Sequence, residues 1–223
     1  MRPRTAVLAA LLAAAPALAA QRTWQWEAAL VGVGMRVHSQ SGTTPPQRLS
    51  GAVFGLQGQI TFARRLTLDL GYVQGQLDPS STGASVRDYV EGSAMIGARP
   101  LSWLSLRVGP HAWTYLSNAG TQRWFLWEAR GQARGEILPE VHSYLELWRV
   151  LSANVNVPQP FQSGYGGEGG LILRVRDAPL IPAKFPVRLR LGYGIERIRM
   201  VSGAGIRTEL IDRLTLSMGI EQR

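Results

Sequence analysis

The chain has 223 residues, a formal net charge of +9 and no cysteine. Without cysteine there are no disulfides, no thiolate metal sites and no lipid-modified N-terminal Cys. Lys184 is the one lysine, so the positive charge is nearly all arginine; no stretch reads as a helix with a basic stripe, and nucleic acid is not an expected partner.

Residues 1–20 read as a cleavable signal peptide. Arg2 and Arg4 form a short positive start, Ala6 to Ala15 is an unbroken Ala/Leu/Val run, and Ala17-Leu18-Ala19 offers a small-x-small cleavage site. The apolar run breaks at Pro16, short of the ~20 residues a spanning helix needs. Cleavage removes two Arg and no acid, leaving 22 basic and 15 acidic residues and lowering the charge from +9 to +7.

Beyond residue 20 no run of ~18 apolar residues occurs, which excludes a helical membrane protein. Period-two alternation recurs instead. In chain order the expected strands are 24–38, 50–63, a run from Leu66 to Tyr72, 86–98, 102–115, 123–136, 141–152, 167–176, 187–196 and 208–221. In the third, Leu66, Leu68, Leu70 and Tyr72 alternate with Thr67, Asp69 and Gly71; in the sixth, Phe125, Trp127, Ala129 and Ala133 alternate with Glu128, Arg130, Gln132 and Arg134. The clearest is the ninth, where Val187, Leu189, Leu191, Tyr193 and Ile195 alternate with Arg188, Arg190, Gly192, Gly194 and Glu196. A helix would scatter these residues around its circumference, whereas a strand puts all the charges on one face.

Most of these runs last ten residues or more, longer than the five or six usual in soluble sandwiches and close to the nine to eleven that span a bilayer at a tilt. Short connections near Arg64-Arg65, Pro100-Leu101 and Leu138-Pro139 alternate with longer polar stretches at 39–49, 77–85, 116–122 and 153–166, as short periplasmic turns alternate with outer loops in transmembrane barrels. The link at 177–185 is longer than that scheme asks. Trp24, Trp26, Trp103, Trp113, Tyr115, Trp124, Trp127 and Trp148 fall toward strand ends, where interfacial girdles would lie. These features predict an all-β, closed antiparallel up-and-down transmembrane barrel of about ten strands over 21–223, with eight as the alternative.

In this pattern the chain resembles the small outer-membrane β-barrel proteins of Gram-negative-type bacteria. Leu214, Leu216, Met218 and Ile220 resemble the alternating last strand that the family's assembly machinery reads. The family usually closes that strand with an aromatic residue; here it runs Ile220-Glu221-Gln222-Arg223, a departure. The resemblance implies a monomer in the outer membrane. Its expected partners are the barrel-assembly machinery and outer-membrane lipid or lipopolysaccharide, whose phosphates arginine binds bidentately.

With apolar faces on lipid, the alternate faces fill the lumen. They place Arg36, His38, Asp69, Glu91, Arg107, His111, Glu128, Arg130, Arg134, Glu146, Glu168, Arg174, Arg188, Arg190 and Glu196 inside, both signs mixed as burial requires. A network of Arg107, Arg130, Arg134, Glu146, Arg188, Arg190 and Glu196 would hold a largely plugged wall together. Hairpin register sets Glu91 opposite His111 and His111 opposite Glu128, a carboxylate–His–carboxylate trio near the outer mouth that could serve as a general base or as a structural link. Ser93 shares the face but lies deeper and is a poor nucleophile. No histidines have metal-ligand spacing, and no cofactor is expected. The run Gly164-Tyr165-Gly166-Gly167-Glu168-Gly169-Gly170 lacks the Lys-Ser/Thr of a phosphate loop and reads as a mobile outer loop. The leading expectation is a structural or surface-interaction barrel. The alternatives are an outer-membrane hydrolase at Glu91, His111 and Glu128, and a soluble periplasmic lipocalin-like barrel whose apolar faces point inward.

Overall fold

A computed structural model describes residues 24–42, 44–80, 85–118, 120–156, 160–175, 186–202 and 205–222. The signal segment 1–20 and the link 177–185 lie outside the described residues. Ten strands, β1 (Trp24–Ser41), β2 (Thr44–Phe62), β3 (Leu66–Pro79), β4 (Arg87–Leu101), β5 (Leu104–Ser117), β6 (Gly120–Leu138), β7 (Val141–Val155), β8 (Phe161–Val175), β9 (Val187–Ser202) and β10 (Gly205–Gln222), form one closed barrel. Each pairs antiparallel with its sequence neighbours. β1 then meets β10 from Trp26–Gln222 to Ser41–Arg207, so no sheet edge is left open. The end holding Trp24 and Gln222 is the terminal end; the other is the far end.

The strands run 14 to 19 residues, more than one bilayer crossing takes, and their side chains show why. In the half toward the terminal end the outward face is apolar: Leu30, Leu56, Leu70, Leu147, Leu191, Leu214, Leu216 and Met218 are each half or more exposed. The inward positions there are Thr67, Gln132, Glu146, Arg188, Thr215, Ser217 and Glu221, all buried. Toward the far end the same strands reverse. Outward positions become Arg36 and His38 on β1, Arg48 and Ser50 on β2, Gln74, Gln76 and Asp78 on β3, and Arg197 and Arg199 on β9. Inward positions become Val37, Leu49, Leu77, Tyr89, Trp113, Tyr115, Trp124, Leu126, Ile198, Met200 and Ile211, packed as one apolar cluster. Trp113 and Trp124 stack at its centre, ring centroids 5.4 Å apart and 13° from parallel. The far half is therefore built like a soluble barrel, and the terminal half like the inverse of one.

This inversion corrects three expectations. Arg36 and His38 are not in the lumen: β1 turns Val31, Val33, Met35 and Val37 inward and those two outward. Trp113, Tyr115, Trp124 and Trp148 do not belong to a girdle, being 1%, 2%, 1% and 9% exposed within the barrel, while Trp24 and Trp103 are 63% and 52% exposed outside. The stretches at 39–49, 116–122 and 153–166 are mostly strand, because β1 and β2 pair up to Ser41–Thr44 and β5 and β6 up to Ser117–Gly120. Polar outward residues of a barrel wall that leaves the apolar zone look, in sequence, like loop. The lipocalin-like reading fails on the same observation, since Leu191 and its neighbours point out and Arg190 points in.

The Gly-rich run is also not a loop. Gly164 to Gly170 lie within β8, which begins at Phe161 rather than at 167. A Cβ on Gly166 would sit 2.4 Å from Trp148 Cζ2, so glycine there makes room for an inward indole. At the terminal end Ala63 and Arg64 take φ of 49° and 57°, and Arg65 N–H donates to Phe62 O at 3.1 Å. That is a tight hairpin turn of the twist-matched kind, made without its usual Asn-Gly.

Candidate functional site: the charged lumen

Below the apolar cluster the lumen is lined by ionisable and polar side chains. The register differs from the expected one by two residues on both sides of β5: Ser93 and Leu126, not Glu91 and Glu128, stand opposite His111. Glu91 and Glu128 are the diagonal neighbours, and long side chains cover that gap. His111 Nε2 lies 2.8 Å from Glu91 Oε1, and Nδ1 lies 2.9 Å from Glu128 Oε1.

The trio is the middle of a longer alternating chain. Asp69 meets Arg107 at 3.5 Å, Arg107 meets Glu146, and Glu146 meets Arg130 at 3.3 Å. Arg130 meets Glu128 at 2.6 Å; beyond His111, Glu91 meets Arg213 at 2.8 Å and Arg213 meets Glu196 at 3.5 Å. All ten strands border this lumen space, and the chain links β3, β4, β5, β6, β7, β9 and β10 across it. Arg130 also lies over the Trp148 ring at 5.1 Å, and Trp148 Nε1 donates to Glu196 Oε1 at 3.3 Å. A second group joins Glu168 to Arg190, to the Tyr144 hydroxyl at 2.6 Å and to Thr215 Oγ1 at 3.4 Å, with Arg190 over the Tyr144 ring at 4.3 Å. Arg188 pairs with Glu27. Arg134 does not reach Glu146; its Nε donates to Gln132 Oε1 at 2.7 Å.

Arg213 and Glu27 are absent from the lumen set read in the sequence. Arg213 shares the parity of Thr215 and Ser217, opposite Leu214 and Leu216, so the alternation of 208–221 carried the signal. Glu27 was hidden because its face continues into the apolar series Ala29 to Val37.

Chemically the trio is a link rather than a proton acceptor. Glu128 is 0% and His111 1% exposed, beneath Trp113 and Leu126 instead of at a mouth. Both ring nitrogens are already engaged, Nε2 by Glu91 and Nδ1 by Glu128 with Arg130 Nη2 3.3 Å away, so neither is left free to activate a nucleophile. His111, Glu128 and Glu196 bring potential ligand atoms within 4.8 Å of one another, but Arg130 and Arg213 already hold those two carboxylates. The hydrolase reading finds no support in this geometry.

Two adjoining cavities lie in the lumen. One of about 160 Å³ lies mid-lumen, lined among others by Asp69, Ser93, Arg107, Glu146, Arg190 and Arg213. The second, about 120 Å³, lies at the terminal end. Glu27, Gln59, Arg134 and Arg188 border both.

No protein-family model matches the chain, and no curated protein matches it in sequence. Among solved structures it is similar to the outer-membrane protease OmpT of Escherichia coli, with a TM-score of 0.55 and 10% identity over 89% of this chain and 96% of that one. Neisserial surface protein A matches at a TM-score of 0.45 and 12% identity over 87% and 96%. The translocator domain of the autotransporter NalP from Neisseria meningitidis matches at 0.43 and 13% over 99% and 97%. The likeness to the first is one of fold, an outer-membrane β-barrel, and at 10% identity it carries no activity to this chain.

Proposed function

We propose that this protein is an outer-membrane β-barrel with a closed lumen, acting as a structural and surface-interaction element rather than as a pore or an enzyme. The observation that carries this reading is the inversion of polarity halfway along the strands. Leaving a Leu-sized side chain in water instead of burying it forgoes about 1.5–3 kcal/mol, and net stabilities are only about 5–15 kcal/mol. An all-round apolar face is thus compatible with hydrocarbon and not with water. The far half, polar outside with its own apolar core, suits a segment standing clear of the bilayer and blocking the lumen. The barrel should therefore need detergent for extraction and, reconstituted in a planar bilayer, show no unitary conductance. Release from membranes without detergent, or regular conductance steps, would overturn the proposal.

The level at which polarity switches also supports a lipid partner. Arg149, Tyr165 and Arg197 are consecutive cross-strand neighbours on β7, β8 and β9. The row continues through Leu210 and His38 to Arg48. Arg149 stands between Leu147 and Leu151, both 58% exposed, and Arg197 follows the exposed Ile195. Guanidinium groups at the edge of an apolar belt lie at the level of lipid phosphates, which they bind in bidentate fashion. Nanodiscs of mixed zwitterionic and anionic lipid should show anionic lipid enriched around the wild-type barrel, with the enrichment falling at least twofold in the Arg149→Gln/Arg197→Gln double variant. Equal enrichment in both would remove the lipid-phosphate role.

A further inference from the structure

The vestibule at the terminal end of the lumen contains positive charge that the described residues leave unanswered. Arg99, Arg134, Arg174 and Arg188 line it against two carboxylates, Glu27 and Glu221. Those carboxylates are engaged: Glu27 pairs with Arg188, and Glu221 with Arg174 at 3.4 Å. Among the described residues neither Arg99 nor Arg134 has a carboxylate within ion-pair distance. Arg99 donates to the neutral Gln59 Oε1 and Arg134 Nε to the neutral Gln132 Oε1. The other nitrogens of the Arg134 fork meet no protein acceptor among the described residues.

Such an arrangement is costly by itself, because half-buried cations lose part of their solvation and here no carboxylate among the described residues replaces it. Everywhere else in this lumen the chain solves that problem with its own carboxylates, as the run from Asp69 to Glu196 shows. Here it brings two guanidinium groups from different strands, β4 and β6, to the wall of one cavity of about 120 Å³, well above the ~30 Å³ share of a single water. We infer that this vestibule is a binding site for one phosphate-class oxyanion, held between the forks of Arg99 and Arg134. A tetrahedral oxyanion offers separate pairs of oxygens to two forks arriving from different directions. A planar carboxylate satisfies one such fork, and chloride satisfies none in bidentate fashion. The site is reached from the terminal end, and it differs from the outward-facing row at Arg149 and Arg197.

The test is equilibrium binding of radiolabelled inorganic phosphate to the refolded mature barrel in zwitterionic detergent at low salt. One phosphate should bind per barrel, saturably, and equimolar acetate or chloride should not displace it. Arg99→Gln and Arg134→Gln should each weaken binding at least tenfold, with heat-modifiable gel migration confirming that the barrel is closed. Arg36→Gln, which removes the same charge from the outer face, should leave binding unchanged. Absence of saturable binding to the wild-type barrel would overturn the site without recourse to any variant. So would equal competition by chloride, or an equal loss in Arg36→Gln, since either would reduce the effect to general attraction of anions. The result is independent of whether the lumen conducts.

Discussion

Replacing Arg213 with methionine is expected to destabilise the folded barrel by about 3–5 kcal/mol, the usual cost of removing one partner from a buried ion pair. Arg213 bridges Glu91 at 2.8 Å and Glu196 at 3.5 Å, and Glu196 is 1% exposed. Without the guanidinium, Glu91 keeps only His111 and the Tyr89 hydroxyl, and Glu196 keeps only the Trp148 indole, among the partners seen here. Glu91 would then face a space lined by Val33 and Val73 as well as by charge, while Glu196 stayed buried. The methionine stem fills much of the volume, so the loss is electrostatic rather than a cavity effect. Adding Glu91→Gln should restore part of the stability, because the second change removes one of the stranded charges. Denaturant titration in detergent micelles, followed by tryptophan fluorescence, measures both variants. A single-variant loss under 1 kcal/mol, or a double variant less stable than the single, would mean that the lumen is solvated well enough to leave these carboxylates unpaired.

How much of this was legible in the sequence depends on which half of the barrel is considered. Where Leu214, Leu216 and Met218 alternate with Thr215 and Ser217, apolar residues meet hydrocarbon and polar ones the lumen. Period-two reading then places each side chain on its face. All ten strands could be located because every strand crosses that zone. Toward the far end the rule that polar means inward reverses, and the sequence carries no marker of the level at which it does so. Arg36 and His38 were assigned to the lumen for that reason, and Val31 to Val37 concealed Glu27. The trio of Glu91, His111 and Glu128 is together in spite of a register displaced by two residues on each side. A shift of two keeps side chains on the same face, and Glu and His are long enough to span a diagonal. A displacement of one residue would have put the histidine outside. What periodicity could not supply is depth: His111 lies under Trp113 and Leu126, and its position below an apolar cap changes it from a candidate base into a cross-link.

Substituting Gly170 with alanine should cost about 3 kcal/mol, the upper end for overpacking a filled interior. In the Gly-rich part of β8 the glycine is required by the neighbouring strand rather than by flexibility. A Cβ at Gly170 would lie 2.0 Å from the Leu191 carbonyl oxygen and 2.7 Å from Gly192 Cα, both backbone atoms of β9 that no rotamer change can move. The same Cβ would come within 2.8 Å of the Tyr144 hydroxyl, which donates to Glu168. Relief therefore requires β8 and β9 to separate at the Gly170–Gly192 pair, where the ladder is closed on both sides by Gly169–Tyr193 and Leu171–Leu191. Gly131→Ala on β6 is the matched comparison: its nearest neighbour is Leu106 Cδ2 at 3.6 Å, an ordinary contact. That variant should be neutral or slightly stabilising, because glycine in a strand interior carries an entropic cost of about 0.5–1 kcal/mol that alanine removes. Unfolding midpoints of the two variants in the same micelles separate the effects. A Gly170→Ala barrel as stable as Gly131→Ala would show that β8 and β9 accommodate a methyl group between them, and that the run of glycines reflects something other than the closeness of their backbones.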